Sequence, residues 1–156
     1  MQNHWRWRLM PNLFPIIEND DHTEQQERQV QFGRSWKFDY EKGDFVTSPT
    51  GKVMGCSNTD AWLEWCKKAI LTKRYRHLVY SRNHGQELDD LISRHLTREA
   101  NELEIKRMVT ETLMVDPRTS GVGNFTFRWE DEKCFYTCEI TNTIGETRSI
   151  QQSVVI

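Results

Sequence analysis

The chain has 156 residues, of which 37% are hydrophobic and 28% charged, with 21 basic side chains against 23 acidic ones. A chain of this length buries roughly 68–70% of its unfolded surface, so it can fold as one domain without disulfides or a metal. The formal net charge of −2 argues against nonspecific nucleic-acid binding, which draws on a basic surface, and no apolar run is long enough to predict a membrane-spanning helix.

Residues 1–31 read as an irregular arm. Met1 to Met10 has no apolar h-region and sets Arg6 and Arg8 between tryptophans, unlike a secretory signal. The repeated Trp-Arg ahead of Met10 can be encoded by UGGAGG, which resembles a bacterial ribosome-binding site. Translation is therefore expected to begin at Met10, with residues 1–9 not native protein. Pro11-Asn12-Leu13-Phe14-Pro15 is an apolar patch held extended by its prolines, with Leu13 and Phe14 as contact side chains. Glu18 to Gln31 is acidic and glutamine-rich, too poor in apolar residues to offset its ordering entropy by burial. It is a linker or an arm that folds on a partner.

The remaining residues, 32–156, are expected to form one domain. Ser35 to Tyr40 alternates, with Trp36, Phe38 and Tyr40 on one side. Phe45-Val46 resumes after Gly43-Asp44, which predicts a hairpin continued by Lys52-Val53-Met54. Ser57-Asn58-Thr59-Asp60 is a helix-start signal, and Trp62, Trp65, Cys66, Ala69 and Ile70 recur at helical spacing to about Thr72. Arg74 to Tyr80 is a short strand or an extended connection, and its Arg74-Tyr75-Arg76 suits a structural role or a protein contact better than contacts to bases or phosphates. Asn83-His84-Gly85 is a turn and Glu87 to Ile92 a short helix. Thr97 caps a longer helix over 98–115 whose buried face is Ile105, Met108, Val109, Thr112 and Leu113, ended by Asp116-Pro117. Gly121-Val122-Gly123 reads as a turn before a β-meander. Its strands carry Phe125, Phe127 and Trp129, then Cys134, Tyr136, Cys138 and Ile140, then Arg148, Ile150, Gln152, Val154 and Ile156. The fold class is thus α+β: a small mixed or antiparallel sheet packed against two to three helices, with an extended N-terminal arm.

Little here points to chemistry. Cys56, Cys66, Cys134 and Cys138 form no C-x-x-C and read as reduced buried thiols. Histidines His77, His84 and His95 fit no zinc motif, and no nucleophile elbow, P-loop or dinucleotide fingerprint occurs. The carboxylates Glu87, Asp89, Asp90, Glu102, Glu104 and Glu111 read as solvated helix faces, and no catalytic residue or cofactor is expected. The chain's end is the unusual feature. A terminal strand through Ile150, Gln152, Val154 and Ile156 leaves backbone donors and acceptors open to strand addition.

In order and spacing these features resemble the gene-25-like baseplate wedge family of contractile phage tails, in the branch of PBSX-type prophages of Gram-positive bacteria. The resemblance covers nearly the whole chain from Met10. It rests on Pro11 to Pro15 with the acidic stretch and Ser35 to Asp39, and on Ala61-Trp62 through Trp65-Cys66 to Arg74-Tyr75-Arg76. It rests further on Tyr80 to Gly85 with Leu88 and Leu91-Ile92, and on Asp116-Pro117-Arg118 where the family has Glu-Pro-Arg. Asp116 shortens the usual glutamate. Arg82 or Asn83 and His84 stand for the wider family's proline and tyrosine before the loop glycine, Gly85.

The resemblance implies a structural part of a phage-tail-like particle, made in the bacterial cytoplasm. It would join the baseplate wedge to the sheath and template the first sheath ring by strand addition. Its partners would be the tail sheath protein and wedge proteins with their helical core bundle, with tail tube or hub proteins nearby and no nucleic acid or membrane. Asp116, Pro117 and Arg118 would dock on the core bundle, since an arginine on a stiff turn presents a planar fork. Arg82, His84 and Gly85 form the loop. Arg118→Ala is expected to spare folding, and deletion of residues 149–156 to spare wedge binding while blocking sheath nucleation. The alternatives are a peptidoglycan-degrading, lysozyme-like hydrolase and a regulatory adaptor on the same fold, because a fold alone does not fix a function.

Overall fold

A computed structural model of the chain describes residues 30–156. Leu13, Phe14 and the start at Met1 or Met10 lie outside the described residues. Seven strands and three helices follow in the order β1 (Arg34–Trp36), β2 (Phe38–Asp39), β3 (Asp44–Phe45), β4 (Gly55–Ser57), α1 (Asn58–Leu71), a 3-10 turn (Leu88–Asp90), α2 (Leu91–Arg94), α3 (Arg98–Met114), β5 (Thr119–Glu130), β6 (Lys133–Asn142) and β7 (Thr147–Val155). The architecture is α+β, with three small antiparallel sheets: β1 with β4, β2 with β3, and the meander β5-β6-β7.

The core lies between one face of the meander and the helices. Trp62, Cys66 and Ile70 of α1 meet Ile105, Met108, Val109 and Leu113 of α3 over Cys134, Tyr136, Cys138 and Ile140 of β6. The strand alternation and the α3 spacing each put these side chains on one face, and they bury together. Thr97 caps α3 as expected, its hydroxyl accepting from the Ala100 amide at 3.3 Å.

Three local expectations fail, and a fourth holds for the helix start but not for its capping bond, each for an identifiable reason. The stretch 35–40 is two strands rather than one, because Lys37 is pulled out of line. Its amide donates to the Met54 carbonyl and its carbonyl accepts from Val46, so β1 pairs with β4 while β2 turns back on β3. Trp36 is consequently 55% exposed. Ser57 occupies the α1 N-cap but makes no side-chain capping bond. Instead the next hydroxyl, Thr59, donates to Glu146, tying the helix start to the β6–β7 turn. Residues 74–80 form no strand; beyond a bridge between Lys73 and Gln86 the segment is a series of turns. Gly121 to Gly123 lies inside β5, where register shifts between Thr119 and Gly121 and between Gly123 and Thr126 each insert one extra residue. Glycine suits such bulges, and Asn124 accommodates the second with φ 49°.

Candidate functional site

Two surfaces of this fold suit assembly. The first is built around the α3–β5 turn. Asp116 is 4% exposed and accepts from the Arg118 backbone amide at 2.9 Å and from Arg118 Nε at 2.9 and 3.0 Å. Arg118 Nη2 completes a forked ion pair with the same carboxylate. Its Nη1 donates to the Phe32 carbonyl at 2.9 Å, and its guanidinium lies 5.9 Å from the Trp65 ring centroid. The fork expected to face a partner is therefore largely committed within the chain, where it ties the start of the domain to the α3–β5 turn. Pro117 is exposed, as are the adjoining Met114 and Val115.

Trp65 links this turn to the loop that the sequence singled out separately. Its ring meets His84 edge-on at 5.6 Å, His84 stacks on Tyr80 at 4.4 Å, and Tyr80 meets His77 edge-on at 6.1 Å. Arg118, Trp65, His84, Tyr80 and His77 thus form one ladder from the α3–β5 turn into the loop. Burial holds the His84 imidazole below its ordinary pKa of 6.5. Arg82 is exposed and takes no part in the ladder. Gly85 is required by its backbone: φ is +94°, and a Cβ there would lie 2.6 Å from the Thr72 carbonyl oxygen and 3.1 Å from the Arg74 nitrogen. Its own carbonyl accepts from Arg74 Nε at 3.0 Å and Thr112 Oγ1 at 3.1 Å, which fixes the loop's end against α1 and α3.

The second surface is the edge of the meander at β7. The strand runs in unbroken register with β6 from Thr147 opposite Thr141 to Val155 opposite Lys133. Asn142 donates to the Glu146 carbonyl and Ile156 to the Glu132 carbonyl. Antiparallel pairs alternate, so the even-numbered residues of β7 bond to β6. Ile150 and Val154 also point their side chains into the core. The four residues singled out from the sequence, Ile150, Gln152, Val154 and Ile156, therefore hold β7 in place. The outward N–H and C=O groups belong to Thr147, Ser149, Gln151, Ser153 and Val155, which the sequence reading passed over. The parity of the last strand relative to the Asn142–Gly145 turn was the signal that could have found them.

Two cavities flank this edge. One of about 650 Å³ lies between Ser149–Gln152 and the β2–β3 hairpin with Lys67 and Leu71. The other, of about 280 Å³, lies between Gln152–Val155 and Leu71, Leu88 and Ile92. Leu71 and Gln152 line both, so β7 has open space along most of its length. The opposite edge of the sheet, β5, carries both bulges. Bulges disrupt the regular pattern of free groups that an added strand needs.

Known proteins share the sequence pattern and the fold. The contractile injection system sheath initiator family matches residues 34–146. The Phage-like element PBSX protein XkdS of Bacillus subtilis (strain 168) is 27% identical over 143 residues, covering 91% of this chain and 96% of that protein. A chain in the cryo-EM structure of the anti-feeding prophage (AFP) baseplate shares the fold with a TM-score of 0.50 at 14% identity, over 80% of this chain and 86% of that one. With the family match spanning more than half of its length, the chain belongs to the contractile injection system sheath initiator family.

Proposed function

We propose that the chain is a structural, non-enzymatic component of a contractile tail baseplate that joins the wedge to the sheath. It starts the first sheath ring by accepting a sheath strand along the outer edge of β7. The carrying observation is the contrast between the two sheet edges. β7 offers five regularly spaced residues with outward backbone groups beside open cavities, whereas β5 is bulged twice. An added strand would sit about 4.8 Å from β7, and main-chain hydrogen bonds would fix its register.

The wedge-facing surface is assigned to Pro117 with Met114 and Val115, set in position by the Asp116–Arg118 clamp. Two of Arg118's five N–H groups are left over for a partner. The hydrolase alternative finds no support in the carboxylates. Among the described residues, the carboxylates with displaced titration, Asp39, Glu99 and Glu104, are pulled below the ordinary range, mainly by hydrogen bonds, whereas a general acid needs its pKa raised.

The test is a proline scan of β7 in particles. Gln151→Pro removes an outward N–H while leaving the bonds to β6 intact, a placement that edge strands tolerate. Particles carrying it should contain the protein and lack sheath in negative-stain images. Gln152→Pro breaks the β6–β7 ladder and should lower the protein's melting temperature instead. Normal sheath on Gln151→Pro particles would show that β7 is not the accepting edge.

A further inference from the structure

The loop between α1 and the 3-10 turn carries a combination of side chains that the sheath-facing edge does not use. Leu78 is 102% exposed, Val79 86%, Tyr75 67% and Tyr80 49%. Scattered exposed apolar residues are ordinary, but four within six positions make a patch that calls for a partner. The loop's neck is firmly tied. The Arg74 amide donates to the Gln86 carbonyl and the Gln86 amide to the Thr72 carbonyl, both at 2.9 Å, and Arg74 pairs with Glu87 and Lys73 with Asp89. Within the loop, the Tyr80 amide donates to the His77 carbonyl and the His84 amide to the Ser81 carbonyl, while Tyr80 stacks on His84. The tip is held outward by a tied base, which lowers the ordering cost of binding.

Charge indicates what the tip meets. Residues 73–85 contain Lys73, Arg74, Arg76 and Arg82 and no carboxylate. Lys73 and Arg74 are neutralised at the neck, whereas Arg76 and Arg82 are exposed and pair with no carboxylate among the described residues. Tyrosines and arginines are the residue types enriched at binding hot spots, and the exposed Leu78 and Val79 between them add apolar area that only a partner can bury.

We propose that residues 75–80 are a docking knob for a baseplate protein that presents an apolar cleft rimmed by carboxylates. Leu78 and Val79 enter the cleft, and Arg76 and Arg82 pair with its rim. Aliphatic side chains at the tip favour a protein cleft over a nucleic acid, which would reward stacking rings and phosphate contacts instead. The proposal rests on the baseplate reading above and adds a second contact, separate from the sheath edge.

The experiment measures incorporation. Tagged wild-type and variant chains are expressed in a strain lacking the gene, and their content in purified particles is quantified by mass spectrometry. Leu78→Asp with Val79→Asp should reduce incorporation on the order of tenfold, as expected for buried anchors. Arg76→Glu with Arg82→Glu should also reduce it, and Arg76→Lys with Arg82→Lys should retain most of it. The isolated aspartate variant should melt with wild type, because these side chains touch little of their own chain. If it does not, Leu78→Ser with Val79→Ser carries the same test.

Wild-type incorporation of the aspartate variant would overturn the proposal, and indifference to arginine reversal would overturn its carboxylate rim. Absence of the wild-type chain from particles would instead overturn the baseplate reading. Binding of the purified protein to phosphatidylglycerol vesicles or to a single-stranded oligonucleotide, if abolished by Leu78→Asp, would reassign the knob to those ligands. Loop-dependent self-association in sedimentation would reassign it to a second copy.

Discussion

His84 shows how much a single position carries in this fold. Its ring bridges Trp65 on α1 and Tyr80 in the loop. Partial burial disfavours the imidazolium, so the native pKa lies below the ordinary value of 6.5. The unfolded chain therefore binds a proton at a higher pH than the native one does. This contribution to stability is fully present above pH 6.5 and is lost as pH falls through that value toward the native pKa, where the loss levels off. Urea unfolding should give a lower stability at pH 5.5 than at pH 7.5. His84→Phe, which keeps a ring between Trp65 and Tyr80, should reduce that difference. An unchanged difference would place the pH sensitivity in other groups.

At the scale of elements, the meander and α3 were legible because alternation and helical spacing are properties of one segment alone. The face Ile105, Met108, Val109, Thr112 and Leu113 can be written from the sequence, and all five are buried. What could not be read depends on contacts between segments far apart in the chain. The break at Lys37 comes from Met54 and Val46, and the commitment of Arg118 comes from Asp116, Phe32 and Trp65. For the same reason, removing residues 149–156 cannot spare the domain: Ile150 and Val154 are core residues, and the deletion takes most of a sheet strand with them. The expectation that Arg118→Ala spares folding changes as well. The substitution leaves the buried Asp116 carboxylate with little more than a backbone amide, which should cost about 2–4 kcal/mol in chemical denaturation. Replacing Asp116 by Asn in the same chain should recover part of that loss, because the uncompensated buried charge is then gone. Equal loss in the single and double variants would mean that Arg118 acts through Phe32 and Trp65 alone.

At the scale of the whole molecule, the question is whether helices and meander form one cooperative unit, as a template that transmits a fixed register must. The four cysteines are free and sit where they can answer it: Cys56 on β4, Cys66 on α1, and Cys134 and Cys138 on β6. The last three are fully buried members of the shared core, while Cys56 is 8% exposed. Burial, with the Asp116 carboxylate adding to it, pushes the Cys66 thiol up to about 12, and burial alone or nearly so pushes Cys134 and Cys138 to about 11. At pH 8 such thiols are roughly one part in a thousand thiolate or less, and the reactive species is the thiolate. Labelling of the native protein with a disulfide reagent, resolved by peptide mass spectrometry, should therefore modify Cys56 first. Cys66, Cys134 and Cys138 should follow together at the rate of global opening, and all three should react at once in denaturant. If Cys134 and Cys138 are labelled well before Cys66, the meander opens while α1 stays folded. The β7 edge would then be a locally mobile surface, and strand addition would have to order it rather than find it formed.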